Sequence, residues 1–201
     1  MQKVETITGV AMPLDRSDVD TDQIIPAVWL KRVERTGFGE GLFSSWRQDP
    51  DFVMNRPEYQ GASILIAGSN FGVGSSREHA VWALMDAGFK AVISPRFGDI
   101  FRNNSTKTGL VPVVVDPEVA DLLLRAAAEE PGLQMTIDIA NRTLSVPEIG
   151  LTVEFPMDDF TQHRLLEGLD DIGLTLRHEG AIHAYEQRRS EWMPRIAATD
   201  A

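Results

Sequence analysis

One segment, residues 68–80 (GSNFGVGSSREHA), constrains the fold of this chain more than any other. It follows the apolar run ILIA at 64–67, which is typical of a short buried strand. The glycines at 68, 72 and 74 allow tight turns and let the backbone approach a ligand closely. From Ser75 onward the apolar residues have helical spacing, which predicts a helix over 75–87. A strand, a glycine turn and a helix in this order predict a parallel α/β unit.

The start of this predicted helix is a candidate anion site. Free backbone N–H groups at a helix N-terminus attract anions, and the planar guanidinium of Arg77 matches a carboxylate or a phosphate. The P-loop motif has a lysine where Ser75 stands, and the dinucleotide fingerprint has a glycine where Arg77 stands. We therefore expect the ligand of this site to be an anion other than a nucleotide. Ser75 and Glu78 also have the spacing of a capping box, which would be purely structural.

Composition excludes several classes of partner. The net charge of −11 repels nucleic acid and anionic membranes, so we expect neither as a partner. No run approaches the roughly 20 apolar residues of a membrane span, and the N-terminus lacks a signal-peptide core. These features predict a cytoplasmic protein. A length of 201 residues fits one domain over 1–201.

The chain contains no cysteine. This excludes disulfides, thiol nucleophiles, cysteine zinc sites and an iron–sulfur cluster held by the chain itself. The four histidines form no recognisable metal-ligand pair, so we predict no metal on this chain.

Residues 13–26 (PLDRSDVDTDQIIP) are rich in acids. Carboxylates at alternate positions suggest calcium, but the EF-hand loop needs a glycine at its sixth position and a glutamate at its twelfth. Counted from Asp15, these positions hold Asp20 and Pro26. We interpret the segment as a polar loop that presents Thr21 and Asp22 beside a second site.

Two segments between these motifs leave alternatives open. Residues 28–35 carry Lys31, Arg32 and Arg35, which form either a solvated face or a second clamp on an anionic ligand. Residues 36–61 lack periodicity and carry five of the fifteen aromatic residues. A long aromatic-rich loop either docks on a partner protein or packs on its own domain.

The remaining pattern predicts an α/β fold. Strands over 4–14, 63–67, 91–94 and 111–115 alternate with helices over 75–87, 96–107 and 117–130, which indicates parallel pairing with helical crossovers. After Pro131 the period changes to two and predicts added antiparallel strands up to residue 155. Residues 158–192 are predicted as C-terminal helices interrupted at Gly168, Gly173 and Gly180, and residues 194–201 as a frayed tail.

The chain resembles the family of 3-isopropylmalate dehydratase (isopropylmalate isomerase) small subunits, within the aconitase swivel-domain superfamily. The resemblance covers nearly the whole chain, and GSSREHA is its most specific motif. It implies a single swivel-like β/β/α domain. The motifs that carry it are DTDQIIP within 13–26, RTGFGEGLF at 35–43, the segment 68–80, FGDIFRNNSTKTGLVPV at 97–113 and DIGLTLRHEGAIHAYE at 171–186.

The resemblance also implies a reaction and a partner. The family dehydrates 2-isopropylmalate and rehydrates the alkene to 3-isopropylmalate in leucine biosynthesis. A large subunit is implied to carry a [4Fe–4S] cluster whose open iron acts as a Lewis acid. The zero cysteine count of this chain agrees with that division.

Roles for individual residues follow from the resemblance as well. It implies that Ser75 is the catalytic base and that Arg77 clamps a carboxylate of the small dicarboxylate substrate, assisted by Ser76. Asp22 falls where the superfamily places an active-site aspartate, and Asp22 and Thr21 are predicted to bind substrate. The segment with Lys31 and Arg32 is associated with substrate choice.

Two alternatives remain beside this interpretation. One is the small subunit of a related hydro-lyase acting on homocitrate, citraconate or another small dicarboxylic acid. The other is a non-catalytic anion-binding assembly module, because the chain has one arginine clamp and no self-sufficient catalytic group.

Overall fold

The described part of the chain, residues 1–31, 36–74, 77–190 and 192–193 of a computed structural model, is built around one mixed seven-stranded sheet. The strands are β1 (Thr6–Leu14), β2 (Ile64–Ala67), β3 (Ala91–Ser94), β4 (Val111–Val114), β5 (Gln134–Asp138), β6 (Thr143–Val146) and β7 (Leu151–Glu154). Their spatial order in the sheet is β4-β3-β2-β1-β5-β6-β7.

Strand β1 joins a parallel half of the sheet to an antiparallel half. Its C-terminal residues, from Ala11 to Leu14, pair in parallel with β2, and β3 and β4 continue the parallel half. Its N-terminal residues, from Thr6 to Val10, pair with β5 in antiparallel orientation, and β6 and β7 continue that half. The predicted combination of parallel units and added antiparallel strands is therefore confirmed.

The two faces of the parallel strands bury separate hydrophobic clusters. Leu65 and Ala67 of β2 pack into one cluster, and Ile64 and Ile66 into the other, as expected where successive side chains point to opposite faces. All four residues of β2 are buried, which explains their continuous apolar run.

Seven helices cover the sheet and its ends within the described residues. The helices are α1 (Thr21–Ile24), α2 (Glu78–Asp86), α3 (Asp99–Thr108), α4 (Pro117–Glu129), α5 (Asp159–Glu167), α6 (Asp171–Leu176) and α7 (Glu179–Gln187). Helices α2 and α3 start three residues later than predicted, whereas α4 starts where predicted.

The aromatic-rich loop 36–61 packs on its own domain. It forms four short 3-10 helices (Phe38–Gly41, Trp46–Gln48, Val53–Asn55 and Pro57–Tyr59). Phe38, Phe43, Phe52 and Tyr59 are buried in the cluster beneath it. The ring of Phe43 stacks on that of Trp46 at 5.3 Å between centroids. The alternative in which these aromatic side chains dock on a partner is therefore wrong for the buried four.

Tyr59 fixes this loop to the C-terminal end of α4. Its hydroxyl donates a hydrogen bond of 2.9 Å to the carbonyl of Ala127. Burial raises the pKa of the Tyr59 hydroxyl, so it remains a protonated donor.

Side-chain caps begin two of the C-terminal helices. Asp158 accepts from the N–H of Thr161 at the start of α5, and Asp170 accepts from the N–H of Gly173 at the start of α6. These backbone hydrogen bonds lower the pKa of both carboxyls. Gly168 ends α5 as predicted, whereas Gly173 and Gly180 lie inside α6 and α7, so the prediction that they interrupt a helix is wrong. The predicted tail 194–201 lies outside the described residues.

Candidate functional site

The carboxyl ends of the parallel strands bring three distant loops together. The loops after β1, β2 and β3 emerge at this edge, where ligands of parallel α/β sheets usually bind. Backbone bonds join them: Asp18 N–H donates to Ser69 O at 2.8 Å, and Thr21 N–H donates to Val73 O at 3.0 Å. Phe71 N–H donates to Arg96 O at 3.0 Å. The glycine turn is therefore held from both sides.

The glycines of this turn are required for close approach, as predicted. Gly72 has φ +74°, and a Cβ there would overlap the ring of Phe101. A Cβ at Gly98, in the neighbouring loop, would overlap the carbonyl of Gly72. Larger residues at either position would force the two loops apart.

An Asn–Asp pair that the sequence reasoning missed fixes the same turn. Asn70 and Asp18 both have positive φ, and Asn70 Nδ2 donates to Asp18 Oδ1 at 2.7 Å. Asn and Asp adopt positive φ more readily than other residues with a side chain. Their presence in two turns was therefore the sequence signal that could have indicated this pair. The pair links the loop after β1 to the loop after β2.

Helix α2 begins at Glu78, and Arg77 is its N-cap residue with φ −129° and ψ 110°. The predicted start at residue 75 is wrong. Glu78 is then the first helical residue and not the third, so the predicted Ser75–Glu78 capping box is wrong too. The extended backbone of Arg77 places the helix start three residues later than apolar spacing alone predicts.

A capping box is present instead at the start of α1. Gln23 N–H donates to Asp20 Oδ1 at 2.7 Å, and Asp20 N–H donates to Gln23 Oε1 at 2.9 Å. The two reciprocal bonds fix the first turn of α1 and thereby the position of Asp22.

Arg77 and Asp22 form an ion pair at this edge, although 55 residues separate them in the sequence. The side chain of Arg77 is 19% exposed and that of Asp22 is 54% exposed. A guanidinium carries five N–H donors, and one carboxylate uses at most two of them in a bidentate pair. Arg77 can therefore bind Asp22 and a second carboxylate together.

A cavity of about 210 Å³ lies beside Arg77. Thr21 and Ile100 line it together with the glycine turn. Thr21 lines the cavity although the residue is only 2% exposed, and its N–H donates to Val73 O. Its role in substrate binding stays a prediction.

Lys31, a predicted residue of substrate choice, is not brought to this cavity. Lys31 is exposed at the end of the 3-10 helix Ala27–Lys31 and is not among the described residues that line the cavity. Ser75, Ser76 and Arg32 lie outside the described residues.

No three His, Asp or Glu side chains of the described residues are grouped so that they could hold a metal ion.

None of the described helices is both long and apolar enough to span a bilayer.

Two family models match separate parts of the chain. Residues 1–118 match the aconitase C-terminal domain, and residues 171–199 match the C-terminal domain of the 3-isopropylmalate dehydratase small subunit. The first match includes β1 to β4 and the whole candidate site.

Relatives and a solved structure match over most of the chain. A 3-isopropylmalate dehydratase small subunit of Frankia alni is 60% identical and covers 93% of this chain and 95% of the relative. One from Acidothermus cellulolyticus is 57% identical and covers 99% and 100%. The crystal structure of 3-isopropylmalate dehydratase (LeuD) from Methanocaldococcus jannaschii is similar with a TM-score of 0.65 and 27% identity, over 90% of this chain and 99% of that one.

The mixed sheet and the glycine turn with its arginine define a domain of the aconitase C-terminal class. Within this class, the chain is 57% and 60% identical over nearly its full length to two 3-isopropylmalate dehydratase small subunits. The chain belongs to the family of 3-isopropylmalate dehydratase small subunits, and the family predicted from the motifs is confirmed.

Proposed function

We propose that this chain is the small subunit of an isopropylmalate isomerase of leucine biosynthesis, acting with a large subunit in the cytoplasm. The complex would interconvert 2-isopropylmalate and 3-isopropylmalate by dehydration and rehydration. The observation that carries the proposal is the Arg77–Asp22 pair at the carboxyl edge of the parallel strands, in a chain of this family.

Arg77 is the proposed clamp for a substrate carboxylate. Its guanidinium is largely withdrawn from solvent and is oriented by Asp22, whose position is fixed by the capping box of α1. A fixed planar fork binds a carboxylate with less ordering cost than a mobile lysine does. Asp22 therefore acts as a positioning residue, and Arg77 contacts the substrate.

Ser75 is the proposed base that removes a proton from carbon. Ser75 is two residues from Arg77 in the sequence, so their Cα atoms lie at most about 7 Å apart even in extended chain. A serine oxygen needs strong electrostatic help to act as a base, and the Arg77 charge together with the start of α2 would supply it. Ser76 is proposed to assist in substrate binding, and Lys31 and Arg32 to contribute to substrate choice.

A large subunit is proposed to complete the site. The cavity of about 210 Å³ is smaller than the roughly 300–1,000 Å³ of most ligand pockets. The chain has no cysteine to bind an iron–sulfur cluster, so we assign the [4Fe–4S] cluster implied by the resemblance to the large subunit.

The assignment of the iron–sulfur cluster to the large subunit predicts the behaviour of the isolated chain. Purified alone, it is expected to be colourless, iron-free and inactive on 2-isopropylmalate, because it lacks thiolate ligands. Iron analysis and a turnover assay check this. Addition of a cysteine-bearing large subunit is expected to produce turnover. Stoichiometric iron in the isolated chain would contradict the assignment of the cluster.

The clamp predicts the kinetics of Arg77→Lys in the assembled enzyme. Lysine keeps the charge but loses the two-pronged match to a carboxylate, so we expect a raised KM and a lower kcat/KM with assembly intact. Steady-state kinetics with a binding assay measure this.

Arg142→Lys is the matched control. Arg142 pairs with Asp159 at the turn between β5 and β6, away from the parallel-strand edge. The same change there is expected to leave the kinetics unaltered. Wild-type kinetics for Arg77→Lys would place the clamp elsewhere, with Lys31 or Arg32 as the next residues to test.

A further inference from the structure

Helix α6 presents large apolar side chains to solvent. Ile172 is 71% exposed and Leu176 is 57% exposed, and their spacing of four places them on one helix face. Tyr185 on the following helix α7 and Trp192 beyond it are also exposed. Both helices lie within the described residues, and neither has a buried residue. Helices of six and nine residues gain most of their stability from packing, so a covering partner is expected.

Helix α6 also forms one wall of a groove of about 750 Å³ against α2 and α3. Ion pairs fix this wall in place, because Asp171 contacts Lys107 of α3 at 3.4 Å and Arg164 of α5 at 2.9 Å. Ile172, together with Trp82 and Met85 of α2, supplies the apolar part of the lining. The groove is therefore a built feature of the fold.

The groove adjoins the candidate site. Glu78 lines it, and Glu78 directly follows Arg77 in the chain. Any subunit that covers Arg77 to complete the site lies beside this groove. The N-terminus of α2 thus contributes to the candidate site through Arg77 and to the groove through Glu78.

Charge decides between two occupants of this surface. Four acids and one lysine line the groove, in a chain whose net charge is −11. Asp171 is already paired with Lys107 and Arg164, and Asp170 with the N-terminal ammonium, so Glu78 and Asp86 supply the negative charge that a partner would meet. A second copy of the chain would bring the same negative charge and be repelled. A partner with apolar side chains flanked by lysine or arginine is complementary. The four acids are Glu78, Asp86, Asp170 and Asp171.

The family models treat the C-terminal segment with α6 and α7 as a feature of small subunits. Residues 171–199, which include α6 and α7, match a model of the C-terminal domain of these small subunits, whereas the aconitase C-terminal domain model ends at residue 118. The segment therefore recurs in small subunits as a unit separate from the aconitase-like part.

We propose that α6 and the groove against α2 are the docking surface for the large subunit, which covers them with a basic and apolar patch. The proposal rests on the proposed function, because that function supplies the partner. In it, Ile172 and Leu176 are the apolar anchors, and the acidic lining selects the partner by charge.

The test is the affinity of the full-length Ile172→Asp/Leu176→Asp variant for the large subunit, measured by sedimentation or on an immobilised large subunit. Loss of interface anchors at the level of hot spots predicts a Kd weakened by at least about 30-fold. The matched control is Leu122→Asp/Ile149→Asp, which introduces the same charges at two other exposed apolar positions. The control is expected to change Kd by less than about twofold, since surface changes away from an interface have small effects.

Thermal unfolding of each free variant separates docking from folding. If the aspartate variant loses its fold, the uncharged pair Ile172→Thr/Leu176→Gln replaces it in the same assay, and a Kd weakened beyond the control supports the proposal. An unchanged Kd for a folded variant overturns it. Loss of self-association with unchanged binding of the large subunit overturns it too, because the occupant is then a second copy.

The proposed function can fail separately. A wild-type chain that binds the large subunit through this surface without turnover of 2-isopropylmalate would refute the function alone. Full turnover with variant and wild-type Kd values equal would refute the docking surface alone.

Discussion

The assembled Ser75→Ala enzyme is expected to lose kcat by a factor of about 100 to 10,000, because the variant lacks the proposed proton acceptor. KM is expected to change little, since Arg77 still binds the substrate carboxylate. Steady-state kinetics measure both. Solvent exchange of the substrate proton, followed by NMR, is expected to slow in parallel with turnover.

Ser69→Ala is the control for this variant. Ser69 lies in the same glycine turn and contributes its backbone carbonyl to the bond with Asp18, which alanine retains. Arg77 is the N-cap residue of α2, so removal of the Ser75 hydroxyl removes no N-cap from this helix. The cost of about 1 kcal/mol for a lost serine cap is therefore not expected. A Ser75→Ala enzyme that assembles and keeps more than about a tenth of wild-type kcat would exclude Ser75 as the base.

Phe43→Ala is expected to destabilise the free chain by about 3–5 kcal/mol, which is the usual cost of removing a buried phenylalanine ring. Phe43 is fully buried, and its ring lies 5.3 Å from that of Trp46 and 6.0 Å from that of Phe52. Domains are stable by only about 5–15 kcal/mol, so this loss is a large fraction of the total. Denaturant unfolding of the isolated chain measures it.

Phe160→Ala is the matched change at an exposed position on α5. It is expected to cost about 0.5 kcal/mol or less, as most surface substitutions do. Unchanged unfolding of Phe43→Ala together with weaker binding of the large subunit would return loop 36–61 to the role of a docking loop.

The sheet was largely predictable because its signals are local. β3 at Ala91–Ser94 was predicted with its observed bounds, since four buried β-branched or small residues lie between a glycine and a proline. The alternation of strands with helices predicted the parallel half, and the change to a period of two predicted the antiparallel half. The prediction that residues 1–201 form a single domain remains a prediction.

The local details that failed depend on contacts between distant segments. The bridge between Asp20 and Val73, which ties the loop after β1 to the glycine turn, joins residues 53 apart, and no local pattern reveals such a pairing. Loop 36–61 has no periodicity because it is built from 3-10 turns, so only the sheet face beneath it reveals that its rings are buried.

The candidate site was predicted in part. Arg77 was singled out from the residues, and Asp22 was named from its acidic loop and the family resemblance; the structure brings them together. The burial of Thr21 and the Asn70–Asp18 pair were missed, because both depend on how two loops meet. The roles of Ser75, Ser76 and Arg32 stay predictions.

The most direct test of the proposed function is reconstitution with a purified large subunit and a panel of three substrates. Initial rates are measured for 2-isopropylmalate, homocitrate and citraconate while the small subunit is titrated. We predict no turnover by either subunit alone, and a rate on 2-isopropylmalate that rises to a plateau and exceeds the rates on the other two acids. Preference for homocitrate or citraconate, or no turnover of any acid by a complex that forms, would contradict the proposal.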